Sequence, residues 1–107
     1  MTVQSPFQPK RGSNQKVTAT TSNQVITIGQ GSKSLRILNA GAVVTYFVTY
    51  KAADETRVCT VADTPVGPAG AASSTLTIEK PEHHDTVAYL ADTTTSVMHF
   101  QPGEGGT

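Results

Sequence analysis

The sequence contains few of the residues on which disulfide-bonded, membrane-spanning and nucleic-acid-binding proteins depend. Its single cysteine, Cys59, excludes an internal disulfide, and folding is expected in a reducing cytoplasm. Eight basic and eight acidic residues give a formal net charge of zero, which supplies no positive field for a phosphate backbone. No apolar run approaches the roughly 20 residues that cross a bilayer, and the amino terminus has no apolar signal segment. We therefore expect neither nucleic acid nor membrane among the partners.

Bulky core-forming residues are also scarce. Hydrophobic residues make up 36% of the 107, with three phenylalanines, three tyrosines and no tryptophan. Threonine is the commonest residue, and threonine, valine and isoleucine together account for 32 of the 107 residues. Branching at Cβ stiffens a side chain and suits a pleated surface better than a helix. The composition therefore predicts one all-β domain with a lean core.

Short segments of alternating apolar and polar residues predict seven or eight antiparallel strands. The segments are residues 15–21, 24–28, 35–38, 43–50, 56–61, 75–78, 86–91 and 96–100, of which 56–61 is the weaker strand and the last two form a hairpin. Residues 63–70 cannot form a central strand, because each proline removes a donor from the ladder. The pattern predicts a β-sandwich or jelly-roll-like domain over residues 15–101.

The two ends of the chain differ from this pattern. Residues 1–14 read as an extended arm, because Pro6 and Pro9 fix φ and favour extended neighbours. Phe7 between them is an unusual residue to leave in water, which favours an arm docked on a partner. Lys10 and Arg11 either pair with acidic groups on a neighbour or are simply solvated. Residues 102–107 read as a flexible, glycine-rich tail.

Residues 43–50 form the strongest predicted strand, and both of its faces are largely apolar. Such a strand is central or covered on both sides. Tyr46, Phe47 and Tyr50 are therefore expected mainly in the core, with a sugar- or partner-binding platform as the alternative. Because apolar residues on the second face exceed what one core needs, Phe47 is also a candidate contact with a partner.

Polar motifs predict no catalytic, metal or cofactor site. His83 and His84 are adjacent, so on extended chain they point to opposite faces and cannot chelate together, and His99 lies in a later strand. Cys59, between Val58 and Thr60, reads as a packed thiol. No carboxylate pair is placed for acid–base catalysis, and no glycine pair precedes a helix. We expect a protein that is not an enzyme and needs no cofactor.

Three segments resemble the small virion proteins of tailed bacteriophages, in particular head decoration (cement) proteins. They are the opening Ser-Pro-Phe-Gln-Pro at residues 5–9, the stretch 35–41 ahead of the aromatic strand, and the closing hairpin with its glycine-rich end at 87–90 and 97–106. The similarity covers most of the chain, but its motifs are short.

The resemblance implies a β-sandwich or jelly-roll module on the outer capsid of the virion, where it clamps neighbouring major capsid protein subunits. It also implies a homo-oligomer, with a trimer favoured over a dimer, and an extended terminal arm. The predicted partner-binding residues are Pro6, Phe7, Pro9, Lys10, Arg11 and Phe47. The alternatives are a component of the tail, head–tail junction or fibre, and a carbohydrate-binding β-sandwich module.

Overall fold

The computed structural model describes residues 8–9, 12, 14–29 and 31–104. In this part of the chain the regular elements are strands, apart from one short 3₁₀ turn at Ala72–Ser74. The strands are β1 (Gln8–Pro9), β2 (Gln15–Ala19), β3 (Gln24–Thr27), β4 (Ser34–Asn39), β5 (Thr45–Tyr50), β6 (Thr64–Val66), β7 (Thr75–Glu79), β8 (Thr86–Ala91) and β9 (Ser96–Glu104). The prediction of an all-β domain is confirmed.

The strands form two antiparallel sheets. Sheet 1 has the order β2–β9–β4–β7, with β1 pairing the far end of β9, and sheet 2 has the order β3–β8–β5–β6. Four antiparallel pairs are nested along the chain, with β5–β6 innermost, followed outward by β4–β7, β3–β8 and β2–β9. Successive pairs lie alternately in sheet 2 and sheet 1. This connectivity is that of a jelly roll, and it confirms the predicted sandwich.

The main core lies between the two sheets and follows from strand alternation. In β4, Leu35 and Ile37 are fully buried while Arg36 and Leu38 face outward. In β9, Met98 and Phe100 alternate in the same way, and the Phe100 ring lies 5.5 Å from that of Tyr89 on sheet 2. The buried members of this cluster are Ala19, Ile28, Leu35, Ile37, Phe47, Val66, Val87, Tyr89, Ala91, Met98 and Phe100.

A second apolar cluster covers the outer face of sheet 2. Tyr50, Cys59, Ala88 and Leu90 are buried there, beneath the β5–β6 connection formed by residues 51–63. The expectation that the aromatic strand is covered on both sides is therefore confirmed, because β5 lies between the main core and this second cluster.

The predicted strand at residues 56–61 is wrong, because these residues form an irregular loop. Two of their backbone N–H groups donate to side chains instead of to a neighbouring strand. The Cys59 N–H donates to Asn23 Oδ1 at 2.8 Å, and the Thr60 N–H donates to Asp63 Oδ2 at 2.8 Å. The short strand β6 follows and contains Pro65; it lies at an edge of sheet 2, as its proline requires.

The predicted hairpin of the last two strands is also wrong, because β8 and β9 lie in different sheets. Each of them is already flanked on both edges, β8 by β3 and β5, and β9 by β2 and β4. The predicted tail begins too early, since residues 102–104 belong to β9. There Pro102 faces Leu35 of β4, and Gly103 faces Pro9 of β1.

Two buried polar side chains tie the loops at opposite ends of the sandwich. At one end Asn39 is fully buried and bonds the β4–β5 connection to Ser96 at the start of β9. At the other end Lys80 is 4% exposed, and its ammonium group donates to Ser32 O at 2.7 Å and His84 O at 3.0 Å. These contacts hold the connecting loops in place around the core.

Candidate interaction surfaces

The outer face of sheet 1 presents polar and charged side chains to solvent. Lys16 and Thr18 of β2, Arg36 of β4 and Thr75 of β7 are exposed, while His99 of β9 is half-buried. These residues alternate with core residues along their strands, so they share one face of the sheet. This face differs from the outer face of sheet 2, which the β5–β6 connection covers.

A groove of about 310 Å³ lies on this face, and we call it the sheet 1 groove. The Asn14 side chain is hydrogen-bonded to the His99 ring, with Nδ2 and Nδ1 3.0 Å apart. Arg36 faces Gln101 across the β4–β9 ladder, and Leu38 faces His99. The lining residues are Asn14, Arg36, Leu38, Thr75, His99 and Gln101.

Exposed apolar side chains lie mainly around the covered face of sheet 2. Val25 of β3 is 50% exposed, and Val58 and Val61 of the β5–β6 connection are 64% and 63% exposed. The hydrogen bond from the Cys59 N–H to Asn23 Oδ1 fixes this connection next to the start of β3. The molecule therefore has one polar, grooved face and one face with an apolar rim.

Most of the predicted arm contacts lie outside the described residues, namely Pro6, Phe7, Lys10 and Arg11. Pro9 is in β1, where its backbone pairs with Gly103 at the end of β9. Part of the predicted arm segment thus lies along an edge of sheet 1.

Phe47 is not an exposed side chain. It is 2% exposed and belongs to the core between the sheets, where it forms part of the wall of a 430 Å³ groove beside β6 and Ile78. The expectation that Phe47 contacts a partner is therefore corrected, because strand alternation turns it inward opposite Thr64 of β6. Tyr50 is also buried and Tyr46 is half-buried, so the three rings do not form an exposed platform.

The histidines do not converge on one site. His83 and His84 pack edge to face with ring centroids 4.8 Å apart, and His84 Nδ1 lies 3.0 Å from Thr49 Oγ1. Burial lowers the pKa of His84, and the charge of His83 lowers it further. His99 lies on sheet 1. Among the described residues no group of three His, Cys, Asp or Glu side chains could hold a metal ion.

Cys59 is 2% exposed, and burial, followed by the negative charge of Asp63, raises the pKa of its thiol to about 12. The ordinary value is 9.0. A group with a raised pKa in the folded state binds more protons there than in the unfolded chain, so stability falls as pH rises through this window. The thiol is therefore expected to destabilise the protein in alkaline solution.

We expect the wild-type protein to lose about 1 kcal/mol more unfolding free energy than Cys59→Ala between pH 8 and pH 10. Urea denaturation of both proteins at several pH values measures this difference. The cost of the cavity in the variant is the same at every pH and does not affect the comparison. Parallel pH profiles for the two proteins would contradict the prediction.

We find no family model that matches the sequence and no curated protein to which it has significant similarity. Within the described residues, no helix is long and apolar enough to cross a membrane.

Proposed function

We propose that this protein is a structural component of a phage virion that binds the outer capsid and stabilises contacts between major coat subunits. The jelly-roll connectivity of the two sheets is the observation that carries the proposal. Jelly rolls recur in viral capsid proteins, and the fold agrees with the one that the sequence resemblance implies. The resemblance to decoration proteins supplies the specific role.

The two faces of the sandwich suit a module that is surrounded by neighbours. The open face of sheet 1 can lie against a coat subunit, and the apolar rim at Val25, Val58 and Val61 can contact another copy of the chain in a homo-oligomer, with a trimer favoured. Binding to the folded state alone stabilises a domain with a lean core. Many copies on a symmetric lattice multiply weak single contacts through avidity.

Particles of the phage that encodes this chain provide the test. Electron microscopy is expected to show density for the protein on the capsid faces. Particles that lack the protein should break at a lower temperature, and adding the purified chain should restore both the density and the stability. Density at the tail vertex alone would assign the chain to the tail, the head–tail junction or a fibre. Particles without any such density would refute a virion role.

The carbohydrate-binding alternative depends on an exposed aromatic platform. A glycan platform would need exposed aromatic faces, whereas Phe47 and Tyr50 are buried. A virion component, on the capsid surface ahead of the tail, therefore remains the proposed role.

A further inference from the structure

The strand β3 forms an open edge of sheet 2. It pairs with β8 on one side, and none of the described strands pairs with it on the other. The Ile28 N–H donates to Asp85 O at 2.8 Å in line with this ladder, and hydrogen-bonded positions alternate along an antiparallel pair. Ile26 therefore directs its N–H and C=O groups towards β8, whereas Val25 and Thr27 direct theirs away from the sheet.

The outward backbone groups of Val25 and Thr27 have no hydrogen-bond partner in the described part of the chain. Both residues are exposed, and Val25 is 50% exposed. An extended strand beside β3 could form hydrogen bonds with two N–H donors and two carbonyl acceptors. The edge therefore has the hydrogen-bonding capacity for one more strand.

The other edge strands contain a residue that hinders such pairing. Proteins protect open edges with proline or with charged residues, particularly lysine. Pro9 lies in β1, Lys16 in β2, Pro65 in β6 and Glu79 in β7. The strand β3 has neither a proline nor a charged residue, and residues 17–32 contain no charge at all. Among the described edge strands, β3 is thus the one without this protection.

Exposed apolar side chains lie beside this edge, on the outer face of sheet 2. Val25 faces Ala88, which belongs to the apolar cluster of that face. Val58 and Val61 are exposed in the connection that covers the cluster, and Asn23 fixes this connection next to the start of β3. An uncharged edge with an apolar rim favours a neutral, apolar partner surface over an acidic or basic one.

From these observations we propose that two copies of the chain pair through β3, antiparallel about a two-fold axis, so that their two sheets 2 become one. Such a contact uses the same patch on both copies, and this edge meets that condition. Residues 24–28 follow the β8 ladder and are centred on Ile26. Placing Ile26 opposite its own copy brings Val25 opposite Thr27 of the other copy. The N–H and C=O groups of both residues are then paired in both copies.

The same pairing joins the apolar rims of the two copies. Side chains of paired residues lie on one face of a sheet, so the two Val25 side chains are diagonal neighbours across the seam. The exposed Val58 and Val61 of each copy lie on that face as well. A two-fold contact closes at two copies, so it yields a dimer in place of the favoured trimer. The pairing rests on the proposed function only for its expectation of a homo-oligomer, and it does not depend on the capsid.

Sedimentation velocity of the full chain over a range of concentrations tests the pairing. The wild type should form dimers, and Val25→Lys should weaken dimerisation at least tenfold, because it places two ammonium groups close together at the seam. Thr75→Lys is the matched control, because Thr75 is exposed on β7 at the open edge of sheet 1. It should leave the dimerisation constant unchanged. Circular dichroism should show the same β structure in all three proteins.

Amide hydrogen exchange of the wild type tests the register without any substitution. The Val25 and Thr27 amides should exchange at least tenfold more slowly at concentrations where the dimer forms than in the dilute monomer. The Ile26 amide faces β8 in both states and is the internal reference, so its exchange should change much less.

Four results would overturn the proposed pairing. They are a wild type that stays monomeric or forms trimers, a Val25→Lys variant that dimerises like the wild type, weakening by Thr75→Lys in place of Val25→Lys, and equal exchange of the Val25 and Thr27 amides in monomer and dimer. The third result would assign the contact to β7. The last would assign it to the apolar rim without strand pairing.

Binding to phage particles that lack the protein separates the β3 pairing from the proposed function. If the wild type binds the particles but stays monomeric in solution, the pairing fails and the virion role stands. If the wild type forms the dimer, with Val25 and Thr27 protected, but does not bind the particles, the virion role fails and the pairing stands.

Discussion

Replacing Asn39 with leucine is expected to lower the free energy of unfolding by about 4 kcal/mol, because buried polar groups would lose their partners. Asn39 is fully buried, and Nδ2 donates to Val43 O at 2.7 Å. Oδ1 accepts hydrogen bonds from the Gly41 N–H at 3.0 Å and from Ser96 Oγ at 2.7 Å. Leucine has a similar size but offers no hydrogen bond, so the partly buried Val43 O and Gly41 N–H and the buried Ser96 Oγ all lose their partner.

The same substitution at an exposed position separates this effect from the change in residue type. Asn14→Leu also replaces an asparagine, but Asn14 is exposed, and we expect its unfolding free energy to stay within about 0.5 kcal/mol of the wild type. Urea denaturation followed by circular dichroism measures all three proteins. A loss of less than 1 kcal/mol in Asn39→Leu would show that water or a shifted backbone satisfies the three groups.

The strands were predictable because alternation is a local signal. In residues 35–38 the order Leu-Arg-Ile-Leu predicts one buried face, and the structure buries Leu35 and Ile37 and exposes Arg36. Threonine-rich composition predicted β structure for the same local reason, although it did not predict that Thr45 would lie in the core. Among the described residues, Thr45 Oγ1 is the buried side-chain oxygen without a hydrogen-bond partner. The favourable packing of a stiff, β-branched side chain on the pleated sheet outweighs the free-energy cost of burying its unpaired hydroxyl group.

Strand pairing was not predictable from local signals. The sequence between β8 and β9 contains three consecutive threonines after Asp92 and looks like a hairpin turn. Whether two strands pair depends on which strands already occupy their edges, and β8 pairs with β3, more than 60 residues away at Val25↔Ala88. The predicted strand at residues 56–61 is wrong for a related reason. Asn23, far away in sequence, supplies the acceptor that a neighbouring strand would have supplied.

The candidate site was missed because its residues come from four separate segments. Asn14 precedes β2, Arg36 is in β4, Thr75 begins β7, and His99 is in β9. A local signal for part of it does exist. In residues 35–37 and 98–100 a single basic residue stands between two apolar residues, Arg36 in one segment and His99 in the other. Alternation places both basic residues outward, but only the β4–β9 register places them on adjacent strands.

Replacing Lys80 with methionine is expected to lower the free energy of unfolding by about 3 kcal/mol, because two carbonyl oxygens lose charge-assisted hydrogen bonds. Lys80 Nζ donates to Ser32 O at 2.7 Å and to His84 O at 3.0 Å, which joins the β3–β4 and β7–β8 connections. Methionine fills similar space without a donor. Lys33→Met is the control: its ammonium group is exposed and lies 3.5 Å from Glu82, so its loss should leave the urea midpoint unchanged.

The pH dependence of the Lys80 effect distinguishes a buried ammonium group from a purely steric contact. Burial lowers the pKa of Lys80 below its ordinary value of 10.5, against the opposing charges of Glu104, Glu82 and Asp85. At pH values just below 10.5, the unfolded chain therefore binds more protons at Lys80 than the folded protein does, so the free energy of unfolding rises with pH. Methionine does not titrate, and Cys59 contributes equally to both proteins. The stability difference between the wild type and Lys80→Met should thus grow from pH 7 to pH 10, whereas a difference that stays constant or shrinks would mean that the ammonium group is solvated.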